Sequence, residues 1–121
     1  MDKLLYITNS MKYQYGGAVI NRRNYNLLHD IYEDNLFVYE FEYANDETRF
    51  VKLKNRLTGL YFGITKQYIR DVLKIIEQQG INIVFISNSL FSCFANAIRK
   101  KFPDMVILSF FHNVEYIYAK E

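Results

Sequence analysis

The chain has 121 residues, half of them apolar and 23% charged, with a formal net charge of +2. That length and composition describe one ordinary globular domain and exclude a disordered or fibrous chain and a second independent core. The mild positive balance gives no reason to expect a nucleic-acid partner. One cysteine, Cys93, permits no internal disulfide, and one Cys with two His makes a poor zinc set, so neither a metal nor another cofactor is expected.

The opening Met1–Thr8 lacks the basic region, long apolar stretch and small-residue cleavage site of a secretion signal. Its run Lys3 to Thr8 predicts a short buried strand, followed by the polar loop Asn9-Ser10 and by Gly16-Gly17. Ala18 to Tyr32 reads as a helix whose apolar face is Ile20, Leu27 and Ile31, joined by Tyr25, Leu28 and Tyr32. Leu36 to Tyr43 alternates, with Phe37, Tyr39, Phe41 and Tyr43 on one side and Glu40 and Glu42 on the other, which predicts a half-buried strand. Residues 44–64 are the least legible stretch, with Phe50 to Lys54 a candidate short strand.

From Thr65 a helical pattern returns, with Ile69, Val72, Leu73 and Ile76 on one face and Gly80 as its stop. Ile81 to Ile86 predicts a buried strand. Ser89 is placed to cap a helix with Leu90, Phe94, Ala97, Ile98 and Phe102 on its face, and Cys93 is expected as a small buried residue of that helix. Pro103-Asp104 breaks the helix before a buried strand, the nearly unbroken apolar run Met105 to Phe111, which is far too short to cross a bilayer.

Strands alternating with helices in this order predict an α/β, Rossmann-like three-layer sandwich around a mostly parallel sheet. Ligands of such sheets gather beyond the carboxyl ends of the strands, which singles out three loops: Thr8 to Gly17, Ser87 to Ser89, and His112-Asn113. Gly16 and Gly17 open a helix and let backbone N–H groups approach a phosphate, although an ordinary turn needs the same glycines. The loop matches neither G-x-G-x-x-G nor G-x-x-x-x-G-K-[ST]. Asn113 and Glu115 suit a helix start, whereas His112 stands where a strand delivers its side chain to a ligand crevice. A buried histidine tied to a backbone carbonyl is the competing explanation. Asn9, Ser10 and Asn88 are small polar groups at the same edge. Basic residues among apolar ones between Arg49 and Arg70 are most simply a solvated face, with an anionic membrane surface or the steering of a phosphorylated substrate as the less common alternatives.

Three features together resemble the N-terminal domain of family 4 glycosyltransferases of the GT-B fold. They are the strand leading to Gly16-Gly17-Ala18, the helix with Arg22/Arg23 and Leu27-Leu28, and Phe110-Phe111-His112-Asn113-Val114-Glu115-Tyr116 after the last strand. The resemblance covers the whole chain in order, with residues 44–64 departing from it. It implies a bacterial, metal-independent, retaining transfer of sugar from a nucleotide-sugar donor, with cell-surface polysaccharide synthesis as its setting. By that resemblance Gly16 and Gly17 face the donor diphosphate and His112 contacts the donor or the transferred sugar as the catalytic candidate. Asn9, Ser10, Asn88 and Asn113 stand on the side of a sugar or lipid-linked acceptor.

The basic donor-binding residues and paired glutamates of the family's C-terminal domain are not in these 121 residues. The expectation is therefore a single Rossmann-like domain, residues 1–121, that is the N-terminal half of a two-domain enzyme and transfers no sugar alone. Its expected place is the cytoplasm, peripheral on the inner face of the membrane. A stand-alone binding module, and the acceptor half of a split transferase docking through Met11 to Tyr15 and Tyr116 to Tyr118, remain open alternatives.

Overall fold

Five successive residues, Leu4 to Thr8, have essentially no solvent exposure, so the strand that contains them must be covered on both faces. The computed structural model describes residues 2–12, 17–42, 64–88 and 91–110. In chain order its elements are strand β1 (Leu4–Asn9), helix α1 (Gly17–Tyr32), a single 3-10 turn (Glu33–Asn35) and strand β2 (Leu36–Phe41). Helix α2 (Lys66–Gln79), strand β3 (Ile83–Ile86), helix α3 (Ser92–Lys101) and strand β4 (Val106–Ser109) follow. The four strands form one parallel sheet in the order β2-β1-β3-β4. This is the expected Rossmann-like α/β sandwich.

Side-chain alternation along β1 divides the core in two. Leu5 and Ile7 join Phe41, Val84 and Ile86 against Val72 and Ile76 of α2 and Phe94 and Ile98 of α3. Leu4 and Tyr6 point the other way, to Leu28 and Tyr25 of α1, with Ile83 and Phe85 beside them. Helix α1 therefore covers one face of the sheet while α2 and α3 cover the other.

Local chemistry sets the ends of α2. The Thr65 hydroxyl accepts the Tyr68 N–H at 3.1 Å, a standard N-cap. At the other end Gly80 takes φ 67° and its N–H returns to the Ile76 carbonyl, a left-handed stop that costs glycine nothing sterically. The Tyr39 hydroxyl donates to Asp71 Oδ2 at 2.9 Å and the Tyr68 hydroxyl to the Glu42 carbonyl at 2.6 Å, joining β2 to α2. Phe37, Tyr39 and Phe41 face this layer, as the alternation predicts.

Two sequence expectations are corrected. Leu27 and Ile31 do not face the core: they are 62% and 59% exposed, while Ala18, Asn21 and Leu28 are the buried residues of α1. The helix turns a seam containing Asn21 toward the sheet, where the Asn21 side-chain amide donates to Asn9 Oδ1 and its backbone carbonyl accepts the Tyr6 hydroxyl. The apolar strand after Pro103 is also not buried throughout. As the sheet edge, β4 packs Ile107 against the α2/α3 layer and leaves Val106 and Leu108 about half exposed on its other face. Helix α3 begins at Ser92, and Cys93 is buried as expected. The candidate strand at Phe50–Lys54 and the candidate cap Ser89 lie outside the described residues.

Phe94→Ala, which empties a wholly buried ring position, is expected to cost about 3–5 kcal/mol. Leu27→Ala is expected to change stability by no more than about 0.5 kcal/mol. Urea titrations of the two variants check both the core and the corrected face of α1.

Candidate functional site at the carboxyl ends of β1 and β3

The chain steps from β1 to β2 on one side and later resumes at β3 on the other side of β1. The order therefore reverses between β1 and β3, the position in sheets of this kind beyond which ligands bind. The Ser87 N–H donates to the Ile7 carbonyl at 2.9 Å, holding the two strand ends together. Thr8, Asn9 and Ser10 lie on one side of this junction and Ser87 and Asn88 on the other.

Each of these groups is positioned by the strand alternation and by α1. Leu4 and Tyr6 face α1, so Thr8 continues that row. On β3, Ile83 and Phe85 face α1 and Ser87 follows them. Thr8 and Ser87 have no exposure, and Ser10 is buried. Asn9 is half-buried and its Oδ1 accepts Asn21 Nδ2 at 2.8 Å. The Tyr6 hydroxyl donates to the Asn21 carbonyl at 3.0 Å, so Asn21 connects β1 and its following loop to α1 through two groups. The Arg22 guanidinium donates to the Met11 carbonyl, and Lys12 pairs with Glu42 at 2.6 Å across the ends of β1 and β2. Asn88 accepts the Phe91 N–H on its carbonyl at 3.0 Å.

The arrangement is rich in hydroxyls and amides, and the nearby charges of Lys12 and Glu42 satisfy one another. Such an edge exchanges hydrogen bonds with a polyhydroxylated molecule and supplies no acid–base pair among the described residues. Two groups in the α1 layer stand out. Among the described residues Ser87 Oγ is buried with no hydrogen-bond partner, and Asn24 Nδ2, near the Tyr6 phenol, also lacks a well-formed bond. Burial pushes the Tyr6 phenol up to about 12.

Of the residues singled out from the sequence, Asn9, Ser10 and Asn88 come to this one edge. Gly17 is the exposed first residue of α1, whose N-terminus opens at the same end of the sheet. Gly16, His112 and Asn113 lie outside the described residues. The other histidine, His29, is in the last turn of α1, about 18 Å along the helix from Gly17, and takes no part. Of the aromatic patch proposed for a docking partner, Met11 packs on the Leu4/Tyr6/Leu28 cluster. Residues 13–15 and 116–118 lie outside the described residues. Among the described residues no three of His, Cys, Asp and Glu are grouped to hold a metal ion, and no helix is long and apolar enough to cross a membrane.

The sequence reading placed Thr8 and Ser87 at the starts of two candidate loops but missed Asn21 and Asn24. The available signal was the pair Asn21 and Asn24, poor helix formers three residues apart inside a helix. Their side of α1, not the more apolar side, turns inward. No protein-family model, curated protein or solved structure matches the chain.

Ser87→Ala removes an unpaired buried hydroxyl and is expected to leave stability unchanged or raise it by up to about 1 kcal/mol, measured by thermal and urea unfolding. Stability should also fall as pH rises from about 10 toward 12. The unfolded phenol gives up its proton near its ordinary value of 10.0, while folded Tyr6 keeps its proton to about 12, so the unfolded state binds fewer protons in that window. Burial and Asp71 also raise the Tyr39 phenol. Tyr6→Phe is therefore expected to flatten the alkaline decline without abolishing it.

Proposed function

We propose that this chain is the acceptor-side, N-terminal domain of a retaining glycosyltransferase of the GT-B fold. The observation that carries the reading is the neutral polar edge at the β1/β3 reversal: Asn9, Ser10 and Asn88 lie together beside the N-terminus of α1. Sugars are recognised by such hydroxyl and amide groups, and an activated sugar's diphosphate is attracted to a helix N-terminus. The Phe110–Tyr116 stretch that follows β4 supports the same reading, with His112 directed to the donor or transferred sugar and Asn113 to the acceptor.

In this reading the domain binds and orients a sugar or lipid-linked acceptor through Asn9, Ser10 and Asn88. Gly16 and Gly17 allow backbone N–H groups to approach the donor diphosphate. As the glycosidic bond to the leaving group breaks, negative charge grows on the diphosphate, and aligned N–H donors stabilise that charge more than they stabilise the ground state. A second, donor-binding domain closes on this one to exclude water and supply most of the donor contacts.

Titrating the isotope-labelled chain with a panel of uncharged glycosides and nucleotide sugars tests the reading by nuclear magnetic resonance. The expected result is shifts confined to the amides of Asn9, Ser10 and Asn88 with glycosides, and to those of Gly16, Gly17 and His112 with nucleotide sugars. His112→Ala should remove the response to nucleotide sugars and spare that to glycosides. Shifts confined to another surface, or none for any sugar, would count against the assignment. The chain alone should show no turnover with any donor; robust transfer would contradict its proposed role as a half-enzyme.

A further inference from the structure

Four strands set about 4.8 Å apart make a sheet about 19 Å wide, of which one helix covers only about 10 Å. On one face α2 and α3 share the cover. Among the described residues the other face has α1 alone, which seats Leu28 and Tyr25 on Leu4 and Tyr6 of β1. Beyond β1 the rows of that face run through Ile83 and Phe85 of β3 to their register partners on β4, Val106 and Leu108. At this sheet edge Val106 is 51% and Leu108 47% exposed.

The flank of α1 that borders this strip is apolar as well. Arg22 donates to the Met11 carbonyl, and the next residue, Lys12, pairs with Glu42 just past β2, so the Arg22 side of the helix faces β2. At about 100° per residue, Ile31 stands half a turn round from Arg22 and Leu27 about 140° round. Both therefore face the β3 and β4 side, and both are exposed there. Leu27 and Ile31 form a wall, and Ile83, Phe85, Val106 and Leu108 a floor. The result is an apolar trough about one helix wide.

We infer that the segment from Asn113 to Glu121 docks in this trough as a short helix beside α1. Its sequence matches the slot. Val114, Ile117 and Tyr118 recur at three and four residues and give one narrow apolar stripe, with Glu115, Tyr116 and Lys120 off it and Asn113 as the cap. Its position matches too: β4, half of the trough's floor, ends at Ser109, so the segment starts at one end of the slot. The eight residues after the cap rise about 12 Å, against about 13 Å for the four residues of β4. A helix this short forms only when packed, and its tether keeps it at high local concentration. Residues 43–63, by contrast, leave from the end of β2 at the opposite sheet edge and lead to α2 on the opposite face. The docking is independent of the sugar-transfer reading, since it anchors the chain beyond β4 whatever ligand the carboxyl edge takes. A terminal segment lifts and reseats without unfolding the sheet, so shortening Leu27 at the rim leaves global stability nearly unchanged.

Nuclear magnetic resonance of the full chain, labelled at methyls and amides, tests the docking. The expected result is Overhauser contacts from the Val114 and Ile117 methyls to Val106, Leu108 and Ile31, unchanged on dilution, with slowed amide exchange at residues 116–120. Ile117→Asp and Leu108→Glu should each lower that protection at least about ten-fold. Tyr116→Asp, off the apolar stripe, should leave it within about three-fold of the parent. Protection of the β1 amides would confirm that each variant is folded. Unprotected amides at 116–120 in the parent, equal losses in Ile117→Asp and Tyr116→Asp, or full protection in Leu108→Glu would overturn the docking. Contacts that vanish on dilution would overturn it in favour of segments exchanged between two copies.

Discussion

The structure depends on the burial of β1 from both sides. A strand whose residues Leu4 to Thr8 are all shielded has to lie inside the sheet and have helices above and below it. Its parallel neighbours β2 and β3 meet the first demand, and α1 with α2 and α3 meets the second. Alternation along one six-residue strand therefore divides the whole core into two layers. The same burial makes its polar members costly unless they are bonded, which accounts for the Tyr6–Asn21 and Asn9–Asn21 hydrogen bonds.

Those bonds also shape the candidate site. Asn21 uses its carbonyl for Tyr6 and its amide for Asn9, so the helix that covers β1 also positions the loop leaving it. Lys12 and Glu42 fasten the same loop to the end of β2. The result is a carboxyl edge composed mainly of hydroxyls and amides. A fold of this type hosts many activities.

Much of the architecture was legible in advance. The period of the apolar residues located every described strand and helix, and Thr65 and Gly80 carried the capping chemistry that ends α2. Alternation in β2 correctly placed Phe37, Tyr39 and Phe41 on one side. Hydropathy misjudged α1, because Leu27 and Ile31 are more apolar than Asn21, yet Asn21 is the residue enclosed. It also misjudged β4, since an apolar run looks the same at a sheet's centre and at its edge.

The sequence by itself determined the element order, the parallel α/β class and the small polar residues Asn9, Ser10 and Asn88 that follow the strands. These are local properties of periodicity, caps and loop composition. Only the tertiary structure decided that those three residues share one edge, that Thr8 and Ser87 are fully buried, and that α2 and α3 lie on the side of the sheet opposite α1. Strand order and helix rotation are fixed by contacts between residues far apart in the chain, among them the Asn21 side chain on Asn9 and the Tyr6 phenol on the Asn21 carbonyl. No local pattern encodes such contacts.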